Sequence, residues 1–188
     1  MNIWKVTGCI LAGLITASCN VKKPKLPVEK AQKMASRYLK ADEFAKIKND
    51  APKIIDSISS SETNQRIFYW DSILAYNKFM EGIDSGRAYI LDSVAGKPVK
   101  YPEFKIEAKA DKRSADEVIK DMKKEISKYY TSEEMADIIA KEPKLNSSQN
   151  HSLENNLTHY YGQIAAKSHE KRGFEFGVEG QRYKELEK

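Results

Sequence analysis

The sequence predicts a mostly α protein with one helical domain over residues 28–188. Three observations lead to this prediction. Apolar residues recur at steps of three and four along most of the chain, which is the spacing of a helix face. Ser or Thr followed three residues later by Glu precedes several of these stretches, as in a helix capping box. Pro and Gly stand between the stretches, where helices end.

A first helix is predicted from Val28 to about Leu39, where apolar side chains keep helical spacing. Ile47 belongs to a continuation or a restart of this helix. Pro52 follows an acidic cap residue and predicts a further short helix through residues 54–58.

The strongest helical pattern covers about residues 62–95 and predicts one long, heptad-like helix. Arg87 is the single polar residue at a position of its apolar seam. Gly96 and Pro98 interrupt the pattern, so we expect the helix to stop there. A seam of this length needs partner helices along it. The seam residues are Tyr69, Ile73, Tyr76, Met80, Ile83, Ile90 and Val94.

Residues 99–108 break the helical period, because Phe104, Ile106 and Ala108 alternate with charged residues. This alternation predicts a short strand or an extended crossover. Pro102 argues against a central strand, since proline cannot donate a ladder hydrogen bond.

Three more helices are predicted in the second half of the chain. Capping boxes at Ser114 and Thr131 each precede an apolar helical pattern. Another helix covers Leu153 to about Ala165. Residues 173–180 fit either a strand or a glycine-bearing helix, and we favour the helix.

The first eighteen residues have the features of a secretory signal. Lys5 precedes a short apolar stretch and the small residues 16–18. The stretch is shorter than the ~20 apolar residues of a spanning helix. Cys19 follows directly, an arrangement that resembles the lipobox of bacterial lipoproteins and most of all the looser lipoboxes of Bacteroidota. The resemblance implies that cleavage leaves a diacylated Cys19 as the new N-terminus; ordinary secretion is the alternative.

Residues 19–27 are expected to form a short, basic tether between the lipid and the domain. Lys22, Lys23 and Lys25 in this tether can meet anionic lipid headgroups. The resemblance therefore implies a lipid-anchored protein of the bacterial envelope, in the outer membrane and facing the periplasm or the cell surface.

Cysteine usage excludes several kinds of chemistry. The chain has two cysteines, of which Cys9 leaves with the signal and Cys19 carries lipid. Thiol catalysis, cysteine-bound zinc and disulfides are then excluded from the mature protein. We expect no cofactor and no nucleic-acid partner, since secretion removes most nucleic acid from reach despite a net charge of +5.

Histidine spacing argues against a helical metal site. His151, His159 and His169 are too far apart in sequence to place two on adjacent turns, so we expect no bound metal and surface positions for all three.

Arg87 is the first candidate functional residue, because a buried guanidinium needs an anionic partner. Asp84, one turn earlier, is the simplest partner. A structural ion pair, or a long side chain that reaches water, is the preferred interpretation over an anion site. On this basis, Arg87→Ala is predicted to destabilise the fold more than it alters any activity.

Two further sets of residues form recognisable patterns. Small residues at GxxxG spacing allow two helices to approach closely, so a crossing of the two segments is one interpretation; chance occurrence of the spacing, which we prefer, is the other. Asp-Ser followed by an aliphatic residue resembles the O-glycosylation signal of Bacteroidota envelope proteins. The glycines are Gly82, Gly86, Gly173 and Gly177, and the serines are Ser57, Ser72 and Ser93.

Adjacent aromatic residues, as in Tyr129-Tyr130, Tyr160-Tyr161 and Phe68-Tyr69-Trp70, can place one ring in the core and one outside. Exposed tyrosines favour protein interfaces; the alternative, which we prefer, places all of them at the core margin with their hydroxyls in water.

Three functions remain open. We favour a membrane-anchored helical module that binds or assists another envelope protein. A structural subunit of an envelope assembly is the alternative, and self-association through the long helix would mark it. An envelope hydrolase using paired carboxylates, with no particular pair assigned, is the third.

Overall fold

The computed structural model describes residues 26–52, 62–144 and 156–187. The regular structure of these residues is entirely helical, which confirms the predicted fold class. Six helices follow one another in the described part of the chain. They are α1 (Pro27–Ser36), α2 (Ala41–Asp50), α3 (Glu62–Val94), α4 (Ala115–Ile126), α5 (Ser132–Ala140) and α6 (Leu157–Leu186).

The two long helices, α3 and α6, lie side by side and run in the same direction. At their starts, the Asn156 side chain donates a 2.7 Å hydrogen bond to that of Asn64. Further along, Gly86 of α3 packs on the backbone of Phe174 in α6. Because contacts advance along both helices together, the pair is parallel, and both helices end at the same side of the molecule.

Helix α6 is the central helix. It packs against α3 and also against α1. Between Thr158 and His169 every residue is buried except Gln163 and Lys167, which are half-buried. A helix buried almost all round has partners on several faces.

Three apolar clusters surround the long pair. One joins α3 to α4 and α5 around Trp70 and Ile126. A second joins α1 and α2 to α6 around Ala35 and Tyr161. A third, smaller cluster closes the far end of the pair around Phe174. The core is therefore distributed along the two helices.

The segment between α3 and α4 is extended and pairs with no strand among the described residues. It runs along α6 instead. Gln163 donates a 3.0 Å hydrogen bond to the Lys109 carbonyl, and Lys167 donates one of 2.6 Å to that of Glu107. Of the two predicted alternatives, the extended crossover is the one present.

Several helix ends occur where the caps predicted them. In α4 and α5, the Ser114 and Thr131 hydroxyls each accept a hydrogen bond from the backbone N–H three residues on. Gly96 takes a left-handed φ of 72° directly after α3, a conformation that favours glycine. The helix predicted through residues 54–58 lies outside the described residues.

The seam predicted for α3 is only partly buried. Ile83 and Ile90 are buried, but Tyr76 is 57% exposed, Met80 41% and Val94 65%. The face turned to α6 instead follows the small residues Ala75, Gly82 and Gly86. Gly82 and Gly86 precede seam positions by one residue, which is ~100° around the helix. Close approach at these glycines therefore turns the seam partly out of the core.

Candidate functional site

Arg87 lies at the surface of α3 and its side chain reaches water. Its side chain is 49% exposed and lies 3.5 Å from the carboxylate of Asp84, which is itself 76% exposed. The close contact with α6 is made by Gly86, and the next residue therefore points away from that helix. The Arg87–Asp84 pair is a surface ion pair of α3.

The four predicted glycines lie together at the crossing of α3 and α6. A Cβ on Gly82 would overlap the Glu170 carbonyl, and one on Gly86 would overlap that of Phe174. From the other side, a Cβ on Gly173 or Gly177 would overlap the backbone of α3. The helices approach this closely because none of the four residues has a side chain.

The remaining predicted residues fall in different places. Ser72 is half-buried on α3 and donates a 2.6 Å hydrogen bond to the Phe68 carbonyl. Ser93 is exposed in the last turn of the same helix. Ser57 and Cys19 lie outside the described residues, so their modification stays a prediction.

His159 is buried, although the sequence predicted a surface position. It faces the fully buried Asp71 across the α3–α6 contact, with Nδ1 3.3 Å from Oδ1 and 3.4 Å from Oδ2. Gly162 gives this carboxylate its space, because a Cβ there would overlap Asp71. The pair is the central polar contact between the two long helices.

The charges of this pair support each other. Burial alone would lower the pKa of His159, but the charge and the hydrogen bond of Asp71, together with the charge of Asp111, more than offset burial and raise that pKa. Burial raises the pKa of Asp71, and His159 opposes this rise. The resulting pair binds its two helices through charge as well as through hydrogen bonding.

His169 is also buried, again contrary to the prediction, but it has no acidic partner among its described contacts. Its Nδ1 donates a 2.8 Å hydrogen bond to the Ala165 carbonyl, and its ring meets that of Tyr38 edge-on at 4.7 Å. Burial lowers the pKa of His169. The two buried histidines therefore shift in opposite directions.

A second charged cluster joins α3 and α4 to the end of α5. The Glu142 carboxylate accepts a 2.6 Å hydrogen bond from Arg66 and lies 2.7 Å from Lys123. Burial alone would raise the pKa of Glu142, but these two cations outweigh it and lower the pKa. Arg66 also bonds Asp116 at 2.9 Å. This network ties three helices together.

An apolar groove of about 740 Å³ lies between the start of α1 and the first half of α3. Leu26 and Pro27 form one wall, and Phe68, Ile73 and Tyr76 of α3 form another. We name it the α1–α3 groove. Its volume lies within the ~300–1,000 Å³ typical of small-molecule sites.

Two tyrosine hydroxyls at this groove are bonded within the protein. Tyr69 donates a 2.6 Å hydrogen bond to the Ile138 carbonyl, and Tyr130 donates one of 3.1 Å to the Asn77 side chain. Tyr160 and Tyr161, which lie elsewhere, are both buried, at 6% and 2% exposure. Tyr160 donates its hydroxyl proton to the Ile47 carbonyl.

The expectation that the tyrosine hydroxyls would lie in water is therefore wrong for Tyr69, Tyr130 and Tyr160.

The described residues include neither a candidate metal centre nor a membrane-spanning helix. These residues contain no group of three or more His, Cys, Asp or Glu side chains arranged to hold a metal ion. No described helix combines the length and apolarity needed to cross a membrane.

Comparison with known proteins places the chain in no family. No family model, no curated protein and no solved structure matches it.

Proposed function

We propose that the protein is a lipid-anchored module of the bacterial envelope that binds another envelope protein through the shared end of α3 and α6. The anchor rests on the lipobox-like position of Cys19. The binding surface is supported by the exposed apolar residues at the end of the long pair. We name this surface the distal end: Leu91, Val94, Tyr183 and Leu186.

The exposure of these side chains carries the proposal. On α3, Leu91 is 49% exposed and Val94 65%; on α6, Tyr183 is 70% exposed and Leu186 84%. Both pairs lie one turn apart, so each helix presents its apolar residues on one face. Apolar side chains grouped in this way favour contact with a protein partner.

The position of the distal end also fits a tethered binding module. Leu26, where the described chain begins, lies beside Ile73 in the α1–α3 groove. From Ile73 to Val94, α3 rises ~32 Å. An anchor before Leu26 therefore leaves the distal end away from the attachment point.

The test has two parts. The first is mass spectrometry of the native protein, which should show a processed, acylated Cys19; Cys19→Ser should leave the protein outside the membrane fraction. The second is affinity purification from native envelopes in mild detergent. We expect Leu186→Lys to lose a stoichiometric partner that the unmodified protein retains.

Ile139→Lys is the matched control, because Ile139 is 46% exposed on α5 and lies outside the distal end. It adds the same charge in place of an apolar side chain and should keep the partner. Equal recovery from both variants would contradict binding through the distal end. A ladder of homo-oligomers, lost in Leu186→Lys, would instead support the structural-subunit alternative.

A further inference from the structure

The α1–α3 groove has the chemistry of a site for a single acyl chain. Its floor and walls are largely rings and aliphatic side chains, including Phe68, Ile73 and Tyr76. A peptide or a sugar would need hydrogen-bond partners for its polar groups once it was taken out of water. A hydrocarbon chain has no such need.

Three hydroxyl groups of the lining residues are occupied within the protein. Ser72 donates its proton to the Phe68 carbonyl, Tyr69 to the Ile138 carbonyl and Tyr130 to the Asn77 side chain. These three hydroxyls therefore have no proton left for a ligand. The three residues therefore line the groove mainly with their carbon atoms.

One positive charge stands at the groove. Lys30 is the single charged residue among the described residues that line it, and it is exposed. Its ammonium lies 6.0 Å from the centre of the Phe68 ring. A ligand whose chain lies along Phe68 can thus place an anionic head beside Lys30.

The position of the groove indicates that its ligand comes from the membrane surface. Leu26, which lines it, is seven residues after Cys19, so the connecting chain spans at most ~25 Å. If Cys19 carries the lipid, as the proposed function requires, the groove stays near the membrane surface. Amphiphiles with one acyl chain partition there.

We propose that the α1–α3 groove binds a fatty acid, with the hydrocarbon chain against Phe68, Ile73 and Tyr76 and the carboxylate beside Lys30. The inference rests on the proposed anchor for its source of ligand, but its test does not need the anchor.

Laurate is the probe, and the protein is the full chain with Cys19→Ala, so that no attached lipid competes. We expect isothermal titration calorimetry to detect saturable binding. Tyr76→Asp should weaken it at least tenfold, because a carboxylate then faces the acyl chain. Tyr76 is 57% exposed, so the fold tolerates the change.

Tyr183→Asp is the matched control, since Tyr183 is 70% exposed and lies at the distal end. It should bind laurate as the parent does. Lys30→Gln should weaken laurate several-fold and leave the binding of dodecanol, which has no charge, unchanged. This second comparison separates the carboxylate from the chain.

Failure of laurate to bind, or equal losses in Tyr76→Asp and Tyr183→Asp, would overturn the proposal. So would binding by the Cys19→Ala chain combined with none by the native lipidated protein, because the attached lipid would then fill the groove. An unmodified Cys19 in native material would refute the anchor while leaving laurate binding in place, so the two failures are distinguishable.

Discussion

Two arginines of α3 form ion pairs that differ in how deeply they are buried. Arg66 is 15% exposed and bonds Glu142, which is 11% exposed. Arg87 is 49% exposed and lies 3.5 Å from an exposed aspartate. Removing one member of a buried ion pair leaves an uncompensated charge and lowers the stability of the fold strongly. An exposed ion pair contributes little to that stability.

We therefore expect Arg87→Ala to change the free energy of unfolding by less than ~0.5 kcal/mol. Arg66→Ala should cost about 2 kcal/mol, because Glu142 keeps only Lys123 close to its carboxylate among the contacts described above. Urea denaturation of both variants measures the difference. A larger loss in Arg87→Ala would contradict the surface position of this side chain.

The Asp71–His159 pair makes stability depend on pH above the ordinary pKa of histidine, ~6.5. The folded protein raises the pKa of His159 above its unfolded value of ~6.5. Its contribution is then complete below pH ~6.5 and is lost as pH rises through the folded pKa. Asp111 acts in the same direction as Asp71, and Arg113 opposes them.

Replacing the acid should reverse this dependence. In Asp71→Asn, burial remains and lowers the pKa of His159, so stability should rise with pH through ~6.5 instead of falling above it. Thermal melts from pH 5.5 to 8.5 test the sign of the slope. Parallel slopes in the two proteins would show that the pair does not carry the dependence.

The burial of His159 could not be read from the sequence. It stands among Thr158, Tyr160, Tyr161 and Gly162, every one of which is buried. Helical periodicity identifies a single apolar face, and here the helix has partners on several faces. One informative signal was present, namely an aspartate within the apolar stretch of the long helix, but its partner lies 88 residues away.

At the level of the helices, the crossing of α3 and α6 depends on residues without side chains. Gly82→Ala would push a methyl group into the Glu170 carbonyl, which cannot move without displacing α6. We expect a loss of about 2–3 kcal/mol in the free energy of unfolding.

Gly180 provides the control within α6. A Cβ there meets nothing within 4 Å, so Gly180→Ala should gain about 0.5–1 kcal/mol from helix propensity. Denaturant melts of the two variants should therefore shift in opposite directions. A stabilising Gly82→Ala would mean that the helices do not cross at this residue.

Helix positions were largely predictable, because caps and breakers act locally. Ser114, Thr131 and Gly96 determine ends through contacts with residues three to five positions away. The rotation of α3 was not predictable from its apolar pattern. That pattern counts large side chains, and the closest contact is made where side chains are absent, at Gly82 and Gly86.

For the whole molecule, the central position of α6 predicts that the domain cannot fold without it. Both α1 and α3 pack on α6. A chain ending at residue 150 should therefore show no cooperative thermal transition by circular dichroism. A chain ending at Gly180 loses mainly exposed residues and should retain one. Cooperative melting of the shorter chain would show that the remaining helices form a core of their own.

The parallel arrangement of the long pair could not be inferred from the sequence either. Periodicity gives the faces of each helix but not their relative direction. Here the N-terminal ends of α3 and α6 are joined by a hydrogen bond between Asn64 and Asn156. Both residues are polar, so a hydrophobic pattern does not include them. The crossover must then return along the whole pair, which explains why an extended segment follows α3.

The parallel pair also has a consequence for how the chain acquires its structure. Residues 95–156 separate the end of α3 from the start of α6, and a ribosome adding about 5–20 residues per second needs roughly 3–12 s to make them. During that interval, the newly made α3 has its glycine face and Asp71 without their eventual cover. The newly made chain is thus expected to stay incompletely folded until α6 has been made.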